Sequence, residues 1–164
     1  MIKYILSLDQ GTTSSRAILF DSFGNIKYTA QKEFQQHFPE NGWVEHDPEE
    51  LVKNILTCIE AAGQLDALGI DNQGESCMAW RSDNKEPLSQ VLVWQDKRTI
   101  KLIDRLRANG SENTTLAIAG LPLDPYFSAS KLAWIVKNVP QAKAALAQGV
   151  LRLGTTDAFF LDRL

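Results

Sequence analysis

From Tyr4 to Phe34 the chain alternates apolar and polar residues with a period of two, and after Pro48 the period becomes helical. This switch restricts the fold more than any other feature: paired strands come first, and an amphipathic helix must then lie on them. Tyr4, Leu6 and Leu8 share one face of a first strand, Arg16 to Phe20 forms a second, and Asp21-Ser22-Phe23-Gly24-Asn25 has the composition of a hairpin turn. In a third strand Ile26, Tyr28, Ala30 and Phe34 point one way while Lys27, Thr29, Gln31 and Glu33 point the other, as in an antiparallel strand near a sheet edge. Asp47-Pro48-Glu49-Glu50 supplies a capping acid, a proline at the first helical position and negative charge over the positive helix end. Leu51, Val52, Ile55, Cys58, Ile59 and Ala62 follow at helical spacing, and Gly63 ends the run. Further strands are expected at Leu68 to Ile70, Val91 to Trp94 and Val150 to Leu153. Helices are expected at Lys97 to Asn109, Ser128 to Asn138 (stopped by Pro140) and Thr156 to Leu164. The product is an α/β domain with a mixed sheet and helices on its faces.

At 164 residues the chain fits one domain and can bury a real core. Its 17 Lys and Arg against 20 Asp and Glu give a formal charge of −3, which argues against nucleic acid or an anionic membrane held by bulk charge. The apolar stretch Leu116 to Leu123 is broken by Gly120 and Pro122, far short of the ~20 residues that span a bilayer. No signal-peptide pattern opens the chain. Cys58 and Cys77 lie far apart and read as buried thiols of a reducing compartment. A cytoplasmic protein is expected. With only His37 and His46, a zinc site is not, and each histidine reads as structural. The sequence stops inside its last apolar helical segment without a cap, as a piece of something longer would.

The chemistry concentrates in Leu8-Asp9-Gln10-Gly11-Thr12-Thr13-Ser14-Ser15-Arg16, between the first two strands. It lacks the Lys and the following helix of a Walker loop. Gly11 is expected to turn with positive φ and to let a ligand approach the backbone. Consecutive N–H groups can form an anion-binding concavity, to which Thr12, Thr13 and Ser14 add hydroxyl donors and Arg16 a planar cation. Asp9, at the strand end, can hold Mg²⁺ directly or through water. On composition alone this reading stands level with a polar β-turn whose hydroxyls bond their own backbone.

This stretch resembles the first phosphate motif of the FGGY carbohydrate kinases, and within them the branch acting on glycerol. Gly42-Trp43-Val44-Glu45-His46-Asp47-Pro48, Asn72-Gln73 with Glu75, Val93-Trp94-Gln95, Asp124-Pro125-Tyr126-Phe127-Ser128 and Gly154-Thr155 with Asp157 continue the likeness in the family's order, over nearly the whole chain. The resemblance implies an ATP-dependent kinase of the actin-like, ribonuclease-H-like fold: a mixed sheet with helices on both faces. It makes Gly11, Thr12, Thr13, Ser14 and Arg16 contacts of ATP and ADP, sets Asp9 near Mg²⁺, and maps the acceptor site onto Glu75, Trp94 and Tyr126. Glu75 can accept from two hydroxyls, and the two aromatics offer flat faces to the C–H side of a polyol. The plainer readings are a solvated loop acid, a core aromatic and a turn residue respectively.

Two departures qualify the likeness. Kinases of glycerol carry Arg immediately before the Glu of this motif, where this chain has Gly74. Losing a charged hydrogen bond removes about 1.5–3 kcal/mol and opens space, so the expected acceptor is a longer polyol or a ketose. The family's general-base Asp and most of its adenine pocket do not occur before Leu164, so residues 1–164 are expected to be an N-terminal domain lacking the second nucleotide-binding domain, and to be inactive or poorly folded alone. A non-catalytic actin-like module that binds nucleotide for a regulatory role is the alternative. The run Asp96-Lys97-Arg98 with Lys101, Asp104, Arg105 and Arg107 reads as the wet face of a helix. Asp157 reads as a helix cap and Cys77 as packing. A homo-oligomer is left open.

Overall fold

The computed structural model describes residues 3–164 and contains two four-stranded sheets. In the first, β1 (Tyr4–Gln10), β2 (Ser14–Asp21) and β3 (Ile26–Glu33) form an antiparallel meander, and β5 (Ala67–Asn72) joins β1 in parallel, in the order β3-β2-β1-β5. β3 is the edge strand that its alternation predicts. A register shift at Leu19 and Phe20 pairs Ile26 with Phe20 on the opposite face from Tyr28, and Ile26 is consequently exposed rather than inward.

The crossover from β3 to β5 runs through β4 (Glu45–His46) and α1 (Pro48–Ala62). Asp47 caps α1 by accepting the Glu49 N–H at 2.9 Å, and Gly63 closes it with a positive φ of 73°, open to glycine because it has no Cβ. Leu51, Val52, Ile55 and Cys58 of α1 pack on Leu6, Leu8, Ala17 and Leu19 of the sheet. The opposite face of that sheet leaves Ile5, Asp9 and Arg16 exposed.

The second sheet has the order β4-β7-β6-β8, from β6 (Cys77–Arg81), β7 (Val91–Leu92) and β8 (Leu151–Thr155). β6 separates two cores. Met78 and Trp80 join the α1 core together with Phe159 and Phe160 of α6 (Thr156–Arg163), while Cys77 and Ala79 meet Leu92, Ile135 and Ala142 on the other side. A strand buried on both faces has no alternation, which is why the pattern does not reveal it.

The remaining helices are α2 (Ile100–Ala108), α3 (Ser111–Ala119), α4 (Ser128–Asn138) and α5 (Pro140–Ala147). Pro140 both stops α4 and stands in the first turn of α5. Thr155, not Asp157, occupies the cap position of α6; Asp157 lies in its first turn and accepts from the Thr155 hydroxyl. Both cysteines are buried free thiols. No helix among the described residues is long and apolar enough to cross a membrane.

The charge run after β7 departs from expectation. Asp96 is fully buried and the Arg98 side chain is 1% exposed, so these two are not a wet face. Arg98 bonds Asp96 and Glu45, and its guanidinium lies 3.8 Å from the ring centre of Trp43 and 4.6 Å from that of Trp134. Two tryptophans remote in sequence form the lid that local periodicity cannot register.

Candidate functional site

At the C-terminal ends of β1 and β5 the turn Gly11–Thr13 faces the segment after β5 and the loop before α4. Gly11, Thr12, Asn72, Gln73, Gly74, Glu75, Trp94 and Tyr126 line one open cavity of about 270 Å³. Five of the nine expected site residues therefore converge: Gly11, Thr12, Glu75, Trp94 and Tyr126. Four do not line it. Thr13 is exposed at the turn's tip. Ser14 and Arg16 are joined through Gln31, whose amide oxygen accepts from Arg16 at 2.8 and 3.1 Å and whose nitrogen donates to the Ser14 hydroxyl at 3.2 Å. Asp9 is exposed at the end of β1, opposite Arg16 on β2 and beside Asp71 on β5.

The turn itself has a definite polarity. The Gly11 carbonyl accepts from the side-chain amides of Gln10 at 2.8 Å and Gln73 at 2.9 Å. The Thr12 carbonyl accepts from Gln36 at 3.2 Å, and the Thr13 carbonyl from the Phe34 amide at 3.3 Å. Because a trans peptide points its N–H opposite to its C=O, tying these carbonyls into the protein turns the following amides outward. The Thr12 and Thr13 amides have no hydrogen-bond partner among the described residues. Outward, unpaired consecutive N–H groups can receive an anion, whereas a self-satisfied turn would have none free. Gly11 itself is not in the left-handed region, contrary to expectation. The turn closes through its N–H to the Ser14 carbonyl at 3.0 Å, and a Cβ here would meet that oxygen at 3.4 Å, an ordinary contact, so neither backbone strain nor crowding within the chain demands glycine at this position.

On the acceptor side, Glu75 is half-buried and one of its oxygens accepts the Ser128 N–H at the start of α4, 2.7 Å away. Trp94 donates its indole N–H to the Thr12 hydroxyl at 3.2 Å and stands edge-on to Tyr126 at 5.8 Å, so it is a cavity wall and not a core aromatic. Tyr126 sits in a turn whose N–H bonds Asp124 at 2.8 Å. Lys131 is fully buried beneath it, donating to the carbonyls of Pro125 at 3.0 Å and Tyr126 at 2.5 Å; burial pushes its pKa down. Sequence reading singled out neither Lys131 nor Gln36, and it took in Gln10 and Gln73 only as members of quoted motifs without a role of their own. Gln10 and Lys131 carry a local signal, a polar residue on the buried face of a strand or helix; Gln36 and Gln73 lie in loops and carry none. Beyond Glu75 a larger, mainly apolar cavity of about 510 Å³ opens between α2, α3 and α4.

His46 is fully buried under the turn, edge-on to Phe34 at 4.9 Å and within 3.4–3.5 Å of the Gln36 and Gln73 side-chain nitrogens. Burial pushes its pKa from 6.5 down to about 4. The folded protein keeps it neutral while the unfolded chain protonates near 6.5, so its contribution is complete above that pH and fades as pH falls toward 4. Urea titrations should show roughly 3 kcal/mol of stability lost across this window, and His46→Gln should flatten the slope. An equal slope in the variant would remove His46 as the cause. Cys77, beside the site, is pushed up to about 12 by burial and is no nucleophile.

No cluster of three or more His, Cys, Asp or Glu side chains among the described residues suits a metal. The exposed carboxylate of Asp9, with Asp71 alongside, fits instead the one or two carboxylates by which Mg²⁺ is held when phosphates and water supply the rest.

Comparison with known proteins bears on this geometry. Residues 4–163 match the FGGY family of carbohydrate kinases, N-terminal domain. The chain is 49% identical over 98% of its length to a glycerol kinase of Alcanivorax borkumensis, and 44% identical over 98% to one of Rhizobium meliloti, covering 34% of each. It thus spans about a third of the length of these relatives. A crystal structure of Plasmodium falciparum glycerol kinase with ADP superposes on 96% of the chain with a TM-score of 0.89 at 28% identity, the chain covering 33% of it. A xylulose kinase from Lactobacillus acidophilus shares the fold at a TM-score of 0.85, 22% identity and 99% coverage, against 33% of its own length.

Proposed function

We propose that this chain, which belongs to the FGGY family of carbohydrate kinases, is the N-terminal domain of an enzyme that transfers the γ-phosphoryl of ATP to a hydroxyl of a polyol or sugar. One observation carries the reading: an anion-ready turn and an acid flanked by two aromatics line the same cavity. The outward amides of Thr12 and Thr13 receive phosphate oxygens, with the Ser14 hydroxyl and the Arg16 guanidinium on the adjoining strand face. Asp9 would hold Mg²⁺, which when bound neutralises phosphate charge. The free oxygen of Glu75 accepts from acceptor hydroxyls, while Trp94 and Tyr126 bracket the carbon chain and exclude water. The general base and the adenine pocket are assigned to a second domain, in keeping with relatives about three times as long as residues 1–164.

The named relatives favour a small polyol, and Gly74 refines the choice. A Cβ at Gly74 would meet nothing within 4 Å, so the cavity is open at the very position that precedes Glu75. We assign a longer polyol or a ketose as the acceptor. A panel of polyols and sugars assayed with the full-length protein tests this: glycerol should not give the highest kcat/KM. Gly74→Arg, whose Cβ would meet no atom within 4 Å, should then improve glycerol relative to the preferred acceptor by about tenfold or more, the worth of one charged hydrogen bond. Glycerol ranking first in the wild type overturns the refinement alone. ADP binding without turnover on any acceptor would favour the regulatory module instead.

A further inference from the structure

Five residues from three separate segments, four of them in the cavity wall, close a ring of hydrogen bonds. The Gln73 amide nitrogen donates to the Gly11 carbonyl at 2.9 Å, and its amide oxygen accepts from the Ser76 hydroxyl at 3.2 Å. That hydroxyl oxygen accepts the backbone N–H of Trp94 at 3.1 Å. The Trp94 indole returns to the turn by donating to Thr12 at 3.2 Å, and the Gly11–Thr12 peptide completes the circuit. Gln73 and Ser76 are buried, and the Gln73 nitrogen is also shared with Gln10 at 3.2 Å, so water is kept from the bonds between these two side chains, whereas the Trp94–Thr12 bond borders the cavity. A displacement of the turn therefore moves Trp94, and a displacement of Trp94 moves the turn.

We propose that Gln73 and Ser76 are positioning residues that couple the two half-sites, so that nucleotide phosphates on the turn tighten acceptor binding against Trp94, and the reverse. The inference rests on the kinase reading above. Gln73 reaches the cavity wall between the half-sites and Ser76 does not line it; each acts through the peptide groups it holds. The arm they form can be cut at either end. Gln73→Glu keeps an oxygen for Ser76 but removes the donor to Gly11, whereas Ser76→Ala frees the Trp94 amide and leaves the turn's own bond intact.

Calorimetry on the full-length protein should measure ADP affinity with and without saturating glycerol or xylitol, whichever binds the wild type. The ratio of the two affinities is the coupling, and linkage makes it the same for either order of addition. In the wild type it should be about tenfold, within the usual range for coupled sites. Either single variant should lower it at least threefold, to what the direct Trp94–Thr12 hydrogen bond carries, and the double variant should go no lower, because both changes cut the same arm of the ring. Thermal midpoints separate this from simple loss of folding: a structural role alone lowers stability and both affinities while leaving their ratio. Coupling that stays at the wild-type value in both single variants, or a wild type that binds both ligands without coupling, overturns the proposal while the kinase reading stands. A wild type that binds neither ADP nor any acceptor overturns the kinase reading, and this inference with it.

Discussion

Glu75→Ala in the full-length enzyme is expected to lower kcat/KM for the acceptor by two to three orders of magnitude. Two losses combine. The oxygen facing the cavity is a charged acceptor, whose hydrogen bonds to hydroxyls contribute about 1.5–3 kcal/mol. The other oxygen holds the Ser128 N–H at the head of α4, and its removal strands that donor beside Tyr126. Glu75→Gln separates the two, because a carboxamide oxygen can still take the Ser128 N–H while an NH₂ faces the acceptor. Its penalty should be smaller, about 10–100-fold, and should fall mainly on KM for the acceptor with ADP binding unchanged. A Gln variant as weak as the Ala variant would mean that charge, and not the seat of α4, carries the whole effect. Wild-type kcat/KM in both variants would remove Glu75 from the site.

Arg98→Met should destabilise the fold by about 3–5 kcal/mol, a large part of the 5–15 kcal/mol typical of whole domains. The substitution leaves Asp96 fully buried with only the backbone amides of Val44 and Arg98 as donors, and strips Glu45 of its partner. It also empties the slot between Trp43 and Trp134. The melting temperature should fall by roughly 10 °C, while Lys97→Ala, one residue away and exposed, should stay within about 0.5 kcal/mol. A drop below about 1 kcal/mol for Arg98→Met would show that the cluster is no ion-pair keystone.

The contrast between Arg98 and Lys97 marks where sequence reading stops. Adjacent charges in one run look alike to a periodicity argument, and only the arrival of Trp43 and Trp134 distinguishes them. Where neighbours in sequence determine the outcome, the reading holds: Asp47 caps α1, Ser128–Asn138 is α4, and the hairpin that bears the turn forms from its own alternation. α3 buries no residue and so leaves no stripe to detect, and the proline before α5 carries two opposite meanings. In the candidate site the visible part is Gly11, Thr12, Glu75, Trp94 and Tyr126, which line the cavity. Gln10, Gln36, Gln73 and Lys131, which hold those residues in place, belong to no spacing pattern; Gln36 and Gln73 reach carbonyls 24 and 62 residues away, and Gln10 and Lys131 take carbonyls close by in sequence.

The orientation of the peptides in Gly11–Thr13 is imposed from outside the turn by glutamines at three scattered positions and by the edge of β3. Grafted onto a foreign hairpin, the octapeptide from Asp9 to Arg16 would retain only Gln10 of these supports, and its carbonyls would be free to swing toward an incoming anion and repel it. Transplanting the function therefore means moving a scaffold of non-contiguous amides along with the loop, and a search for such cradles by motif alone will also return hairpins that have the letters without the aim.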